Sequence, residues 1–191
     1  PRGRGIAGLP TGHMQFKNTV LEGVASFLPD EILSSAALEA QLAPLYQRLG
    51  LMVGRLELMT GITQRRLWPE GTKPSQVAAQ AAGKLLNQLG LGAEEIDLLI
   101  YAGVCRDQME PATATTVHAQ LGLSPHTTVF DLSNACLGFL NGIALAGQLI
   151  SAGQIRRALI TSGEDARPLL QETLRILQQG ELGRSQIKPY F

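Results

Sequence analysis

Two side chains in this 191-residue chain pair a reactive group with a setting that could use it, Cys136 and Glu110. Cys136 lies in Asp131-Leu132-Ser133-Asn134-Ala135-Cys136-Leu137-Gly138-Phe139, where an apolar run stops at a polar turn and a long apolar helical pattern begins. A residue at such a corner is near the unpaired N–H groups and the positive end of the helix, which favour an anion. A thiolate is such an anion, and it is the nucleophilic form of cysteine. The competing reading is a small apolar residue packed in a core. Glu110 lies in Cys105-Arg106-Asp107-Gln108-Met109-Glu110-Pro111-Ala112-Thr113, between a strand and a helix. Pro111 suits the first helical position and keeps the residue before it extended. A carboxylate there could serve as a general base, or simply as a favourable charge at a helix start.

The other candidates carry less. Cys105, at a strand exit, reads as core filler, and it forms no metal-ligand spacing with Cys136. With one of three histidines near the start of the chain and no orienting carboxylate legible for His118 or His126, no zinc site is expected. Arg65 and Arg66 could meet a phosphate, but two charges beside a turn read equally as a solvated face or an internal salt bridge.

The elements that must position these residues follow from periodicity. Residues 127–132 are β-branched and aromatic in a run too short for a helix, which predicts a buried strand. Leu140, Ile143, Ala144, Leu145, Ala146, Leu149 and Ile150 are apolar nearly all round, with glycines at 138, 142 and 147, which predicts a buried helix. Residues 96–104 form the clearest buried strand, and a helix follows Pro111 through about residue 121. Another strand is expected at 158–162, leading through Pro168 into a helix to 177. Upstream, Ser75 is placed to cap a helix over 76–89 with Val77, Ala81, Leu85 and Leu89 inward. A first strand is expected at 20–27, then a helix from Ser34-Ser35 to Leu49, kinked at Pro44 and ended by Gly50; residues 55–68 read as short-range and polar. Alternating strands and helices call for an α/β fold with a mainly parallel sheet covered on both faces. Glu110 then stands beyond a strand's carboxyl end, the edge where ligands bind in open α/β folds.

Residues 1–13 are rich in Gly, Arg and Pro without periodicity, and Gly12-His13-Met14 is a junction typical of an expression vector, so this stretch is expected to be a tag remnant. Setting it aside leaves 14 basic against 16 acidic residues, a balance that implies no field for nucleic acid. No apolar run is long enough for a membrane span, and no signal peptide is legible. Two cysteines make no disulfide framework, so a reducing cytoplasm is the expected compartment.

The corner Asn134-Ala135-Cys136-Leu137-Gly138-Phe139, between a strand ending in Asp and a Gly-rich helix, resembles the nucleophile elbow of the thiolase superfamily, and within it the ketoacyl synthase III branch. Thr60-Gly61-Ile62-x-x-Arg65 is similar to a segment of those enzymes that follows a tryptophan and an arginine used to hold coenzyme A. Those two positions here are Arg55 and Met59, a departure from the usual clamp. Arg106-Asp107-x-x-Glu110-Pro111, followed after 26 positions by Cys136, resembles the enzymes that join two long acyl-CoA molecules head to head in olefin and β-lactone pathways. So do Gly61-Ile62-x-x-Arg65-Arg66-x-Trp68 and Asn134 to Gly142.

The resemblance implies a thiolase-like fold, with residues 14–180 as the N-terminal half and 181–191 as the start of a continuation. A histidine and an asparagine of the family's second half have no counterpart here. It implies a homodimer through the strand at 127–132, acylation of Cys136 by a long-chain acyl-CoA, and Glu110 as a partner-donated base for a non-decarboxylative Claisen condensation. Coenzyme A thioesters are substrates, and no metal or redox cofactor is expected. Three alternatives stand beside this reading. One is a 3-oxoacyl-carrier-protein synthase III using malonyl-carrier protein. Another is a non-catalytic dimer partner of such an enzyme, and the third an unrelated α/β domain with a structural cysteine.

Overall fold

The computed structural model describes residues 14–179, 182–183 and 185–187; the expected tag remnant lies outside the described residues. In chain order the elements are β1 (Glu31–Ser34), α1 (Ser35–Gln41), α2 (Ala43–Leu49), α3 (Arg55–Thr60), β2 (Gln64–Leu67), α4 (Pro74–Leu89), β3 (Leu98–Tyr101), α5 (Thr113–Leu121), β4 (Thr128–Asp131), α6 (Gly138–Ser151), β5 (Ala158–Thr161) and α7 (Arg167–Gln179). Short 3-10 turns occupy Ala93–Glu95 and Ala135–Leu137.

A parallel sheet of order β4-β3-β5 is the centre of the fold. Every residue of β3 is buried, as an all-apolar central strand requires. Its side chains alternate between two layers. Leu99 and Tyr101 pack with Ala78, Ala82 and Leu86 of α4 and with Ala114 and Val117 of α5. Leu98 and Ile100 face the other way, with Phe130, Leu132, Ile160 and Leu149 of α6. Helix α6 lies close to this face because its glycines lack Cβ atoms. A Cβ on Gly138 would stand 3.0 Å from the Ala102 carbonyl oxygen, and one on Gly142 would stand 3.1 Å from Ile160 Cγ2. The expectation of a buried helix is met on the sheet side, where Gly138, Gly142, Ala146 and Gly147 are buried. On the outward side Leu140 and Leu145 stay open, at 61% and 37% exposure.

Several local expectations are corrected. Residues 20–27 pair with nothing by backbone ladder; Val20, Leu21 and Val24 are exposed, and a 180 Å³ cavity separates the segment from β5. The first strand is β1, paired antiparallel with β2 inside the stretch read as merely polar, which also contains α3. In place of one kinked helix there are two, α1 and α2, meeting at Leu42; Pro44 sits in the first turn of α2, where a missing N–H is harmless. Helix α4 begins at Pro74, so Ser75 lies inside it and does not cap it, and its inward face is Val77, Ala78, Ala82 and Leu86 while Leu89 is exposed. Helix α5 begins at Thr113 and not at Pro111. A separate cluster joins Leu42, Leu45 and Tyr46 to Leu177 of α7 and to Ile187.

Candidate active site

The loops that leave β3, β4 and β5 at their carboxyl ends lie side by side, because the three strands run parallel and in register. Cys136 is on the β4 loop. After Asp131 the chain is still tied to β3 through Leu132 N–H and the Tyr101 carbonyl, at 2.8 Å. It then turns sharply: Ala135 has φ +42, a left-handed conformation that an alanine adopts only at a cost. Leu137 N–H donates to the Asn134 carbonyl at 2.9 Å, and Asn134 Nδ2 donates to Asn141 Oδ1 in the first turn of α6 at 2.6 Å. Cys136 therefore stands on a single 3-10 turn just ahead of α6, and it is exposed. Strain at the residue before it, with the close approach of Gly138 to Ala102, sets the thiol at the sheet's carboxyl edge.

Glu110 is on the β3 loop and is exposed, and its carboxylate makes no hydrogen bond or ion pair with a described residue. No hydrogen bond joins it to Cys136. The helix-cap role that sequence left open for Glu110 belongs to another residue. Asp131 Oδ2 accepts from Thr113 N–H at 2.9 Å and Oδ1 from Ala114 N–H at 2.8 Å, at the start of a helix whose own N-cap, Ala112, has no capping side chain. The loop's beginning is held as well. Glu164 on the β5 loop accepts from Val104 N–H at 2.6 Å and Cys105 N–H at 3.0 Å. Asp107 Oδ1 accepts from Ser75 N–H at 2.9 Å, and its Oδ2 from the Ser75 hydroxyl at 2.6 Å. Sequence reasoning missed these three acids. The signal for Asp131 was a helix start without its own capping side chain beside a strand that ends in an acid.

The remaining candidates take structural places. Cys105 is half-buried, its Sγ 3.5 Å from the Asp165 carbonyl; burial, then the nearby Glu164, push its thiol up despite that hydrogen bond. Buried Tyr101 shares its hydroxyl proton between the Cys105 and Gly163 carbonyls, and burial followed by the Glu164 charge pushes its phenol up, so it stays a donor. Arg65 Nη2 donates to the Ser35 hydroxyl at 3.2 Å, and Arg66 Nη1 to the Pro29 carbonyl at 2.7 Å, so both tie β2 to the residues that flank β1. Trp68 stacks on Phe27 with ring centroids 5.4 Å apart and donates from Nε1 to the Glu164 carbonyl. His118 Nε2 lies 2.9 Å from the Ser124 carbonyl oxygen.

A family model described as 3-Oxoacyl-[acyl-carrier-protein (ACP)] synthase III matches residues 130–175, from the last two residues of β4 through the Cys136 corner, α6 and β5 into α7. The acyl-CoA:acyl-CoA alkyltransferase of Shewanella oneidensis is 42% identical over 161 residues, covering 84% of this chain and 46% of the relative. The beta-ketoacyl-[acyl-carrier-protein] synthase III of Rhodospirillum rubrum is 36% identical over 157 residues, 82% of this chain and 46% of that one. Xanthomonas campestris OleA, solved as a cysteine-to-serine variant with bound lauric acid and lauroyl-CoA, matches with TM-score 0.88 at 36% identity, covering 91% of this chain and 52% of that one. Its glutamate-to-glutamine variant matches with TM-score 0.87 at 36% identity, covering 96% and 51%. The cysteine and glutamate varied in OleA are 26 positions apart, as are Cys136 and Glu110 here. The chain spans about half the length of the curated relatives it matches.

Proposed function

We propose that this chain, which belongs to the ketoacyl synthase III-like branch of the thiolase superfamily, carries the nucleophile and the base of an acyltransferase that condenses two fatty acyl-CoA thioesters head to head. The observation that carries the reading is the exposed Cys136 on a strained turn directly ahead of α6, whereas the other cysteine, Cys105, is half-buried with its thiol pushed up by burial. The Cys136 thiolate attacks the thioester carbonyl of one acyl-CoA, and its own backbone N–H helps hold the oxyanion. Coenzyme A leaves as its thiolate, and an acyl-cysteine remains. Glu110 then takes a proton from the α-carbon of a second acyl-CoA. That carbanion attacks the acyl-cysteine carbonyl; a carbon–carbon bond forms, the carbon–sulfur bond breaks, and the Cys136 thiolate is regenerated with a β-ketoacyl-CoA as product. The steps balance in atoms and electrons with no metal or redox cofactor.

The exposure of Glu110, which makes no hydrogen bond or ion pair with a described residue, supports its donation into the site of a second copy. Strand β4 is at the sheet's edge, so a homodimer joined there would also cover unpaired backbone groups. The compartment we assign is the cytoplasm; no helix of the described residues is long and apolar enough to cross a membrane.

A second reading, condensation with malonyl-carrier protein, is favoured by the family model and by the Rhodospirillum rubrum relative. Decarboxylation would then generate the carbanion, and Glu110 would have no part in it. The test is to incubate the complete polypeptide that carries this chain with lauroyl-CoA, map the adduct by mass, and then offer either a second acyl-CoA or malonyl-carrier protein. An acyl group on Cys136 that is discharged by the second acyl-CoA is expected. An adduct on Cys105 with Cys136 untouched would overturn the nucleophile, and discharge by malonyl-carrier protein alone would favour the second reading.

A further inference from the structure

Between Asp107 and Thr113 the chain leaves the body of the fold. Gln108, Met109, Glu110 and Pro111 are all exposed, Met109 at 86%, and none of them hydrogen-bonds to another described residue. No hydrogen bond to a described residue holds Glu110 along this arm, so the arm is tied to the fold at its two ends. Both ends are held by carboxylates on fully buried partners. Asp107 grips the backbone N–H and hydroxyl of Ser75 in the first turn of α4. Asp131 grips the N–H groups of Thr113 and Ala114 that open α5. Each carboxylate uses both oxygens at a helix start, where charge-assisted bonds and the helix dipole act together. Asp131 has a further property: it ends the strand that leads, five residues on, to Cys136, so one side chain ties the arm to the strand that precedes the thiol's turn.

We propose that Asp107 and Asp131 are positioning residues that clamp the two ends of the Glu110 arm and so set the base against the substrate carbon. The inference rests on the reading of Glu110 as the base, and it concerns the condensation step alone. Acylation of Cys136 does not use the arm.

The experiment measures the two half-reactions separately in the complete polypeptide: formation of acyl-Cys136 from lauroyl-CoA, and its discharge by a second acyl-CoA. Asp107→Asn and Asp131→Asn are each expected to slow discharge by about 10- to 100-fold, the scale of a displacement of about 1 Å in a reacting group, with acylation unchanged. Ser75→Ala removes one of the bonds to Asp107 from the α4 side and leaves the arm's sequence intact. It should slow the same step by less, and it keeps the test informative if an Asn variant fails to fold. A residue that acts through Glu110 should add nothing once Glu110 is gone, so in a Glu110→Gln background the clamp variants should cause no further loss. Equal slowing of both half-reactions, or fully additive losses, would overturn the inference. Normal discharge in the clamp variants beside a crippled Glu110→Gln would overturn it too, while leaving the Glu110 reading intact. Normal discharge by Glu110→Gln itself would remove that reading and the inference with it.

Discussion

Replacing Glu110 by Gln separates chemistry from architecture, because the structure gives the carboxylate nothing architectural to do. It is exposed, accepts no hydrogen bond from a described residue, and forms no ion pair with one. The orphan N–H groups at the start of α5, which a glutamate near a helix start could otherwise serve, are already taken by Asp131 at 2.9 and 2.8 Å. The stability cost of Glu110→Gln should therefore stay within about 0.5 kcal/mol, the range of a surface substitution away from any special feature. A general base contributes about two to four powers of ten in rate, and at about 1.4 kcal/mol per power the chemical cost should be several times the structural one. The variant should melt like the parent and acylate Cys136 at the normal rate, yet release β-keto product at least about 100-fold more slowly. Mixing it with Cys136→Ala protein should restore part of the product if the site is shared across a dimer, since one mixed site would hold both groups. Unchanged product formation by Glu110→Gln alone would refute the reasoning and return the reading to a malonyl-dependent synthase.

Other consequences can be checked without substrate. Glu39 is buried; burial works to raise its carboxyl, but the hydrogen bonds from the Leu56 and Gly54 N–H groups and the Tyr46 hydroxyl outweigh it and hold the group low. Its contribution is thus present above the unfolded carboxylate value of about 4.3 and lost as pH falls through the lower folded value. Thermal melts of Glu39→Gln should show a loss of about 1–3 kcal/mol at pH 7 and a flatter acid limb, and a parallel acid limb would contradict this. Gly142→Val places a Cβ 3.1 Å from Ile160 Cγ2 and should cost about 1–3 kcal/mol in urea titration by lifting α6 from the sheet; an unchanged midpoint would show that the helix can shift freely. Thr128 and Leu132 donate their N–H groups toward β3, so by alternation the Val129 N–H points to the open edge of β4. Val129→Pro should therefore leave that ladder standing and convert a dimer to monomers in sedimentation, whereas a monomeric, fully active parent would remove the dimer from the reading.

Where sequence and structure agree, the information is local. The all-apolar run of β3 could only be a buried strand, and the left-handed glycines at 50, 90 and 122 end their helices at the residues expected from sequence or next to them. The Cys136 corner was legible because a strand, a polar turn and a glycine-rich helix follow one another within a dozen residues. Where they part, the deciding partner is remote or the cue is shared by two conformations. Residues 20–27 are apolar with β-branched members, but that composition favours an extended chain without specifying a neighbour, and no ladder forms. The β1–β2 pair was hidden because its second strand, Gln-Arg-Arg-Leu, carries charge where a strand signal would be apolar.

The acids that organise the site fall in the same class. Asp131 acts on backbone 17 and 18 positions away, Glu39 on backbone 15 and 17 positions away, and Glu164 on backbone 59 and 60 positions away. In none of the three does a single helix or turn motif contain both the carboxylate and the N–H groups it satisfies. What a local stretch does contain is the deficit: α5 opens at Ala112 and α3 at Gly54, neither of which brings a capping side chain. Buried or half-buried helix starts do not leave their N–H groups unpaired, so each such deficit requires an acceptor from elsewhere in the fold. At α5 that acceptor ends the strand leading to Cys136, and the helix it holds is the one Glu110 precedes. The missing cap at Ala112 is thus itself a trace of the site, because meeting it from Asp131 is what joins the two loops that carry the proposed nucleophile and base.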